Sequence, residues 1–404
     1  MLLKIAWRNL WRNKRRSVIV IISVTIGLVA TIFTDTISMG FLAQMLDNQI
    51  RSSLGHIQIH KKGFNDNKTI QNSISNPQFV EDKIKQVKDI EYYSTRVISY
   101  GLLSSATASS GILINGVNPE QEQFVTNIKQ SIVEGRYLNN GRHEIIIGTE
   151  LAKKLGVGLG DKVVAMATAL GGDIGSDVFR IVGLFKTFSS DFDKSMMFIP
   201  LQSAQAMLNL GNKVSEFAII IKDTRQVDNI KSKIIDKLNS NYEVLSYKDI
   251  IPLLIMQLDL FKQSMLVFYF IIGLALIFGI TNTMLMAVFE RINEFGVLMA
   301  IGMKNSRIFV MIILEALFLG IVGTVIGMIA GMLIYWPLSY SGINLSVFSD
   351  SLAAWGTGNI IYPVLYMEGI LNAIFIVPFI SVIAAIYPAI KAIRLEPMYA
   401  IRYV

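Results

Sequence analysis

Apolar and polar positions separate into long blocks along this chain. Ser264 to Phe289 is a run of 26 residues without a charge, and Glu315 is the only charged residue between Ile308 and Ser349. About 20 apolar helical residues cross ~30 Å of hydrocarbon, so these runs predict membrane helices. Four spans follow from the pattern, over 17–39, 263–289, 307–337 and 367–388. Between the first two, residues 40–262 change rhythm. Alternation predicts strands at His56 to His60, Ser99 to Leu103, Ile112 to Val117, Glu144 to Ile147, Lys162 to Met166, Val178 to Leu184 and Phe217 to Ile221. Helical spacing appears at Pro77 to Lys88, Leu201 to Leu208 and Gln226 to Leu238. Two α/β flanks, about 76–118 and 214–248, thus enclose a β-rich insertion at about 119–213. The fold class predicted is an α-helical integral membrane protein with four transmembrane helices and a large extracytoplasmic α/β domain.

Charge then orients the spans. The first 16 residues carry Lys4, Arg8, Arg12, Lys14, Arg15 and Arg16 and no acid. Arg291, Lys304 and Arg307 follow the second span, and Lys391, Arg394 and Arg402 follow the fourth. The loop 338–366 holds no Lys or Arg before its end, and Asp350 is the charge in its middle. Basic short loops stay in the cytoplasm, which places both termini and the 290–306 segment inside and residues 40–262 outside. The first span reads as an uncleaved anchor. Residues 1–16 also form an amphipathic pattern, with Leu3, Trp7, Leu10 and Trp11 opposite the arginines; it suits a helix lying on the membrane surface or a plain stop-transfer cluster. The net charge of +7 belongs to these flanks, since residues 40–262 hold 25 basic and 23 acidic residues. A nucleic-acid surface needs its excess charge on a folded face, and that class is set aside.

Candidate chemistry is sparse. There is no cysteine, which excludes disulfides and thiolate metal sites, and no Gly-Lys dipeptide, which excludes a phosphate-binding P-loop. The glycines of LGVGLGDKV (155–163) read as a turn. His56 and His60 share one strand face, but with only His143 besides they read as structural or surface residues. Glu315 lies inside the third span, where an acid costs about 2.5–3.5 kcal/mol. An ion pair with a basic residue of the first helix or of the 290–307 loop is the favoured reading over a proton relay. Asp35, near the outer end of the first span, reads as a hydrated interfacial residue. Gly320, Gly323, Gly327 and Gly331 give a small-xxx-small stripe for helix packing, within one chain or between two. No constellation supports an enzyme.

ERINEFGVLMAIGMKNSRIFVMIILEA (290–316), IAWRNLWRNKRRSVIVIISVTIGLV (5–29) and YPAIKAIRLEPMYAIR (387–402) resemble FtsX-like (MacB-type, type VII) ABC-transporter permeases. With the arrangement of one span, a large domain and three further spans, the resemblance covers essentially the whole chain. ILINGVNPEQE (112–122), IIIGTELAKKLGVGLGDKV (145–163) and MMFIPLQSAQAMLNLGNKVSEFAIIIKD (196–223) resemble the lipoprotein-releasing LolC/LolE group, the last of them the LolE side. The hairpin ATALGGDIGSDVF (167–179) is shorter than the LolC-type hook and lacks its proline.

The resemblance implies a MacB-like periplasmic core at 40–262 and an FtsX-like permease domain at about 263–397. It implies a multi-pass protein of the bacterial inner membrane, with a cytoplasmic tail at 389–404. This chain would bind no cofactor, while ATP and Mg would act in two copies of a cytoplasmic, LolD-like ATPase. A second permease subunit would complete a homodimer or a LolC-like heterodimer, and a periplasmic lipoprotein chaperone is a further partner. Residues 290–306 would be the coupling helix, with Glu290, Arg291, Glu294, Phe295, Gly296 and Gly302 matching the ATPase-facing segment. The substrate cavity would be lined by Ile26, Val29, Phe33, Phe41, Phe268, Ile271 and Leu274, which could equally be ordinary lipid-facing residues. The implied function is mechanotransmission that releases lipoproteins from the outer leaflet. MacB-type export of drugs, peptides or lipids and FtsX-type signalling to a periplasmic hydrolase are the alternatives.

Overall fold

The computed structural model describes residues 2–12 and 14–394. The tail that carries Arg402, and the side chains of Arg16 and Asp350, lie outside the described residues. In chain order the helices used below are α1 (Leu2–Arg12), α2 (Lys14–Gln49), α3 (Pro77–Ile84), α4 (Pro119–Val125), α5 (Val227–Ile235), α6 (Pro252–Glu290), α7 (Ile292–Ala300), α8 (Asn305–Ser341) and α9 (Met367–Ile393). The chain divides into two units. One comprises residues 1–43, 257–344 and 360–404; the other comprises 44–256 and 345–359.

Among the described residues four helices are long and apolar enough to cross a bilayer, over Ser17–Leu54, Pro252–Glu290, Asn305–Ser341 and Gly369–Ile393, and they form most of the membrane unit. Its core runs through Val24, Leu28 and Ile32 of α2, Ile280, Met284 and Val288 of α6, Ile308, Met311 and Ile312 of α8, and Ala384 and Ala385 of α9. The glycine stripe of α8 sets how closely two helices approach. Cβ atoms built at Gly323, Gly327 and Gly331 would meet Val24 Cγ1 at 2.6 Å, Leu28 Cδ2 at 2.8 Å and Ile32 Cδ1 at 2.8 Å. Four-residue knobs of α2 therefore sit in four-residue notches of α8, the close packing that small residues allow in a membrane. Gly320 faces α9 instead, where a Cβ would meet Ser381 Oγ at 2.5 Å. The stripe is a contact within one chain. Gly323→Ala is expected to cost about 1–3 kcal/mol by overpacking. Val24→Ala in the same chain should recover most of the lost Tm in micelles, and a double variant no better than the single one would contradict this contact.

The outer unit is built on one ten-stranded mixed sheet. Its strands are β1 (Ile57–Lys61), β2 (Ile90–Ser104), β3 (Ser109–Val117), β4 (Ile132–Gly135), β5 (Glu144–Gly148), β6 (Lys162–Thr168), β7 (Ile174–Phe185), β8 (Met196–Pro200), β9 (Glu216–Ile221) and β10 (Tyr242–Ser246). They run in the order β10-β1-β9-β2-β3-β8-β5-β7-β4, with β6 pairing β2 and β7. The flanks and the inserted part share this one sheet. β2 is 15 residues long, so its first half pairs with β9 and its far end with β6, which joins both parts into one sheet. Two cores remain. One lies under β1 and β9 with Val80 and Ile84 of α3 and Ile230 of α5. The other gathers Leu103, Ile114, Ile147, Val163 and Phe179. Residues 345–359, read from the sequence as part of a separate loop, belong to this unit: Gly356 O accepts from Asn48 Nδ2 at 3.0 Å.

Candidate coupling site

α7 is a nine-residue amphipathic helix set off from α6 at Arg291, whose backbone (φ −111°, ψ 17°) leaves the helical path. Ile292, Phe295 and Gly296 are buried. Glu294, Val297 and Ile301 are exposed and follow helical spacing on the opposite face. Phe295 packs into the membrane-unit core with Met284, Val288 and Ile308. Glu290 ends α6 on the surface, and Gly302 ends the segment in a turn with φ +93°, a conformation glycine adopts without strain.

Four charges then bind three helices together. Glu294 on α7 accepts from Arg12 of α1 at 2.5 Å and from Arg291 Nε at 2.9 Å. Arg291 Nη1 donates onward to both carboxylate oxygens of Glu315 in α8, at 2.8 and 3.1 Å. The Arg291 guanidinium also lies over the Phe295 ring, 5.2 Å from its centre, a cation–π contact. Burial works against the Arg291 charge, but Glu315 and Glu294 outweigh it and hold the guanidinium above its ordinary value. Burial likewise pushes the Glu294 carboxyl up, and the hydrogen bonds from Arg12 and Arg291 bring it below the usual carboxylate range. Asn9, Ser17, Arg291 and Glu315 border a small cavity of about 30 Å³. Ser17 Oγ also caps α1 by donating to Leu10 O. The arrangement ties α1, α7 and the start of α8 together. Sequence reasoning missed Arg12 as the partner of Glu294, because nothing in a linear pattern ties two residues 282 positions apart.

The seven residues expected to line a substrate cavity are not gathered into one place. Val29 and Phe33 border a small recess with Gly331, Ile334, Tyr335, Leu338 and Pro363. Ile26, Phe268, Ile271 and Leu274 lie exposed on α2 and α6, and Phe41 is half-buried. The reading of Asp35 as a hydrated interfacial residue is corrected: its side chain is buried and accepts from Tyr269 Oη of α6. Gly369 lets it in, since a Cβ there would stand 2.7 Å from Asp35 Oδ2.

In the outer unit a second buried network surrounds Arg96 of β2. Its guanidinium donates to Glu122 of α4 at 2.7 and 3.0 Å and to Glu216 of β9 at 2.9 Å. It also donates to Ser53 O in the π-helical turn Ile50–Leu54 that follows α2. Burial opposes the charge of Arg96, and Glu122 and Glu216 overcome it, raising its pKa. Glu216 is held below its ordinary value against burial by His60 and Arg96. His60 Nε2 lies 3.0 Å from Glu216, and His56 Nδ1 accepts from the Ile221 N–H at 3.1 Å. Burial and Arg51 lower the His56 pKa to about 4, so its ring is neutral at pH 7. The two histidines are thus engaged by different groups.

Four membrane-length helices and a large mixed-sheet unit define a multi-pass membrane protein with a substantial α/β domain, and a compact helix with a charged flank lies between two of the spans. Residues 17–237 match the family described as MacB-like periplasmic core domain, and residues 266–397 match that described as FtsX-like permease C-terminal. The chain belongs to this FtsX-like, MacB-type family of ABC-transporter permeases. It is 26% identical to the lipoprotein-releasing system transmembrane protein LolC of Buchnera aphidicola, over 98% of this chain and 96% of that protein. It is 23% identical to the LolC protein of Neisseria meningitidis, over 97% and 96%. The macrolide export ATP-binding/permease protein MacB of Campylobacter jejuni is 22% identical over 98% of this chain and 60% of its own length. The likeness therefore reaches the LolC/LolE group.

Proposed function

We propose that this chain is the permease subunit of an exporter that uses ATP hydrolysis by a partner ATPase to lift lipoproteins out of the outer leaflet of the inner membrane. The observation that carries this reading is the charge relay Arg12–Glu294–Arg291–Glu315, which fastens α7 to the helices on either side of it. The exposed stripe Glu294, Val297 and Ile301 is the surface on which a cytoplasmic ATPase would press. Glu290, Arg291, Glu294, Phe295, Gly296 and Gly302 then divide their work. Glu290 and Glu294 present charge, Phe295 and Gly296 seat the helix, Arg291 transmits, and Gly302 ends the segment. In this reading both termini and α7 are cytoplasmic and the outer unit is periplasmic. Two permease subunits, identical or mixed, pair with two ATPase subunits.

Relatedness to LolC proteins favours lipoprotein as cargo, and relatedness to MacB favours export of a smaller amphiphile as the second reading. Reconstitution separates them. The complex in proteoliposomes should release an acylated lipoprotein into the external medium with ATP and retain it without. ATP hydrolysis with no lipoprotein freed would overturn the release assignment.

A further inference from the structure

Between α1, α2 and α6 lies an open groove of about 660 Å³ lined by Arg12, Lys14, Arg15, Ile19, Asn282, Thr283, Met286 and Glu290. Arg12, Lys14 and Arg15 gather at one end with Glu290, and Arg12 is already paired with Glu294. Lys14 and Arg15 are exposed and make no ion pair among the described residues. Ile19 and Met286 make the other end apolar, and both are exposed. Asn282 is exposed without a side-chain hydrogen bond among the described residues. It lies eight residues before the end of α6, about 12 Å along the helix at 1.5 Å per residue. An unsatisfied amide at that depth is costly in hydrocarbon.

A ligand for this groove must carry a negative head for the cations, polar atoms just below it for Asn282, and an apolar body for Ile19 and Met286. That order of groups is the order along a phospholipid. We infer that the groove binds one anionic phospholipid, with its phosphate on Lys14 and Arg15, its glycerol ester region at Asn282 and an acyl chain along Ile19 and Met286. A second copy of this chain fits less well. A two-fold contact sets a patch against itself, which would bring Lys14 and Arg15, the groove cations without an ion pair among the described residues, against their own kind. The inference needs only that α2 and α6 span a membrane and is independent of the cargo.

The test uses the full chain in neutral detergent micelles, titrated with dioleoyl-phosphatidylglycerol, dioleoyl-phosphatidylcholine or inorganic phosphate, and followed by thermal stabilisation. Phosphatidylglycerol alone should raise Tm. A Lys or Arg near an anionic headgroup contributes enough for about fivefold in affinity, so Lys14→Gln with Arg15→Gln should raise the half-saturating concentration roughly thirtyfold. Lys4→Gln with Arg8→Gln removes equal charge outside the groove and should leave that concentration unchanged. Equal loss in both double variants, stabilisation by phosphatidylcholine, or stabilisation by inorganic phosphate alone would overturn the inference. A photo-crosslinking residue at position 282 gives a readout independent of stability. Capture of lipid supports the assignment, and capture of a second copy refutes it.

Discussion

Replacing Arg96 with methionine is expected to destabilise the outer unit by about 3–5 kcal/mol, the cost of breaking a buried ion pair by removing one partner. Glu122 and Glu216 are almost fully buried and share this guanidinium, so its loss strands two carboxylates at once. Ser53 O, in the turn after α2, loses its donor as well. For a unit of this size each kcal/mol lowers Tm by about 2–4 °C, so a drop of roughly 10 °C should appear when the full chain in micelles is melted. Proteolysis should open first around Ile50–Leu54 and β2. Replacing Arg96, Glu122 and Glu216 together by apolar residues of similar volume should cost far less than the single change, because no charge is then left unpaired. A single variant that melts like the parent would mean that the network is solvated.

Glu315→Ala carries the second large effect. Arg291 would remain buried between α7 and α8 with only the half-exposed Glu294 to balance it. The expected cost is again about 3–5 kcal/mol, and it falls on the joint that seats α7. ATP-driven release should drop tenfold or more, while insertion of the four spans, set by their apolar length, should persist. Combining Arg291→Met with Glu315→Leu should restore Tm without restoring release. That outcome separates stability of the joint from transmission through it. A coupling energy of about 1–3 kcal/mol between the two positions is expected from a double-mutant cycle.

What the sequence made legible follows from range. Uncharged runs such as Ser264 to Phe289 announce a span because the bilayer demands length and apolarity within one segment. The buried face of α7, Ile292, Phe295 and Gly296, is likewise local. β8 (MMFIP) and β10 (YEVLS) escaped notice, the first because it lacks alternation and the second because it is a short, half-exposed edge strand. Arg12 with Glu294, Asp35 with Tyr269, and Arg96 with its two glutamates are long-range pairs. A single sequence holds no trace of which acid meets which base. The nearest signals were local oddities: an acid inside an apolar span at Asp35 and at Glu315. For Glu315 the sequence points to the first helix or the 290–307 loop, and Arg291 of that loop is its partner; Asp35 marks a partner without naming it. The cavity residues are not distinguishable by the same means, since one apolar side chain on a spanning helix looks like another whether it faces lipid or cargo.

The central claim is that the charge relay transmits ATPase motion into the spanning helices. The most direct measurement is the ratio of lipoprotein released to ATP hydrolysed in proteoliposomes, compared between the parent complex and the Arg291→Met/Glu315→Leu complex after both are shown to melt alike. The account predicts that hydrolysis continues in the variant while the ratio falls at least about tenfold, a transmission loss of about 1.4 kcal/mol or more. An unchanged ratio in a stable variant would contradict it.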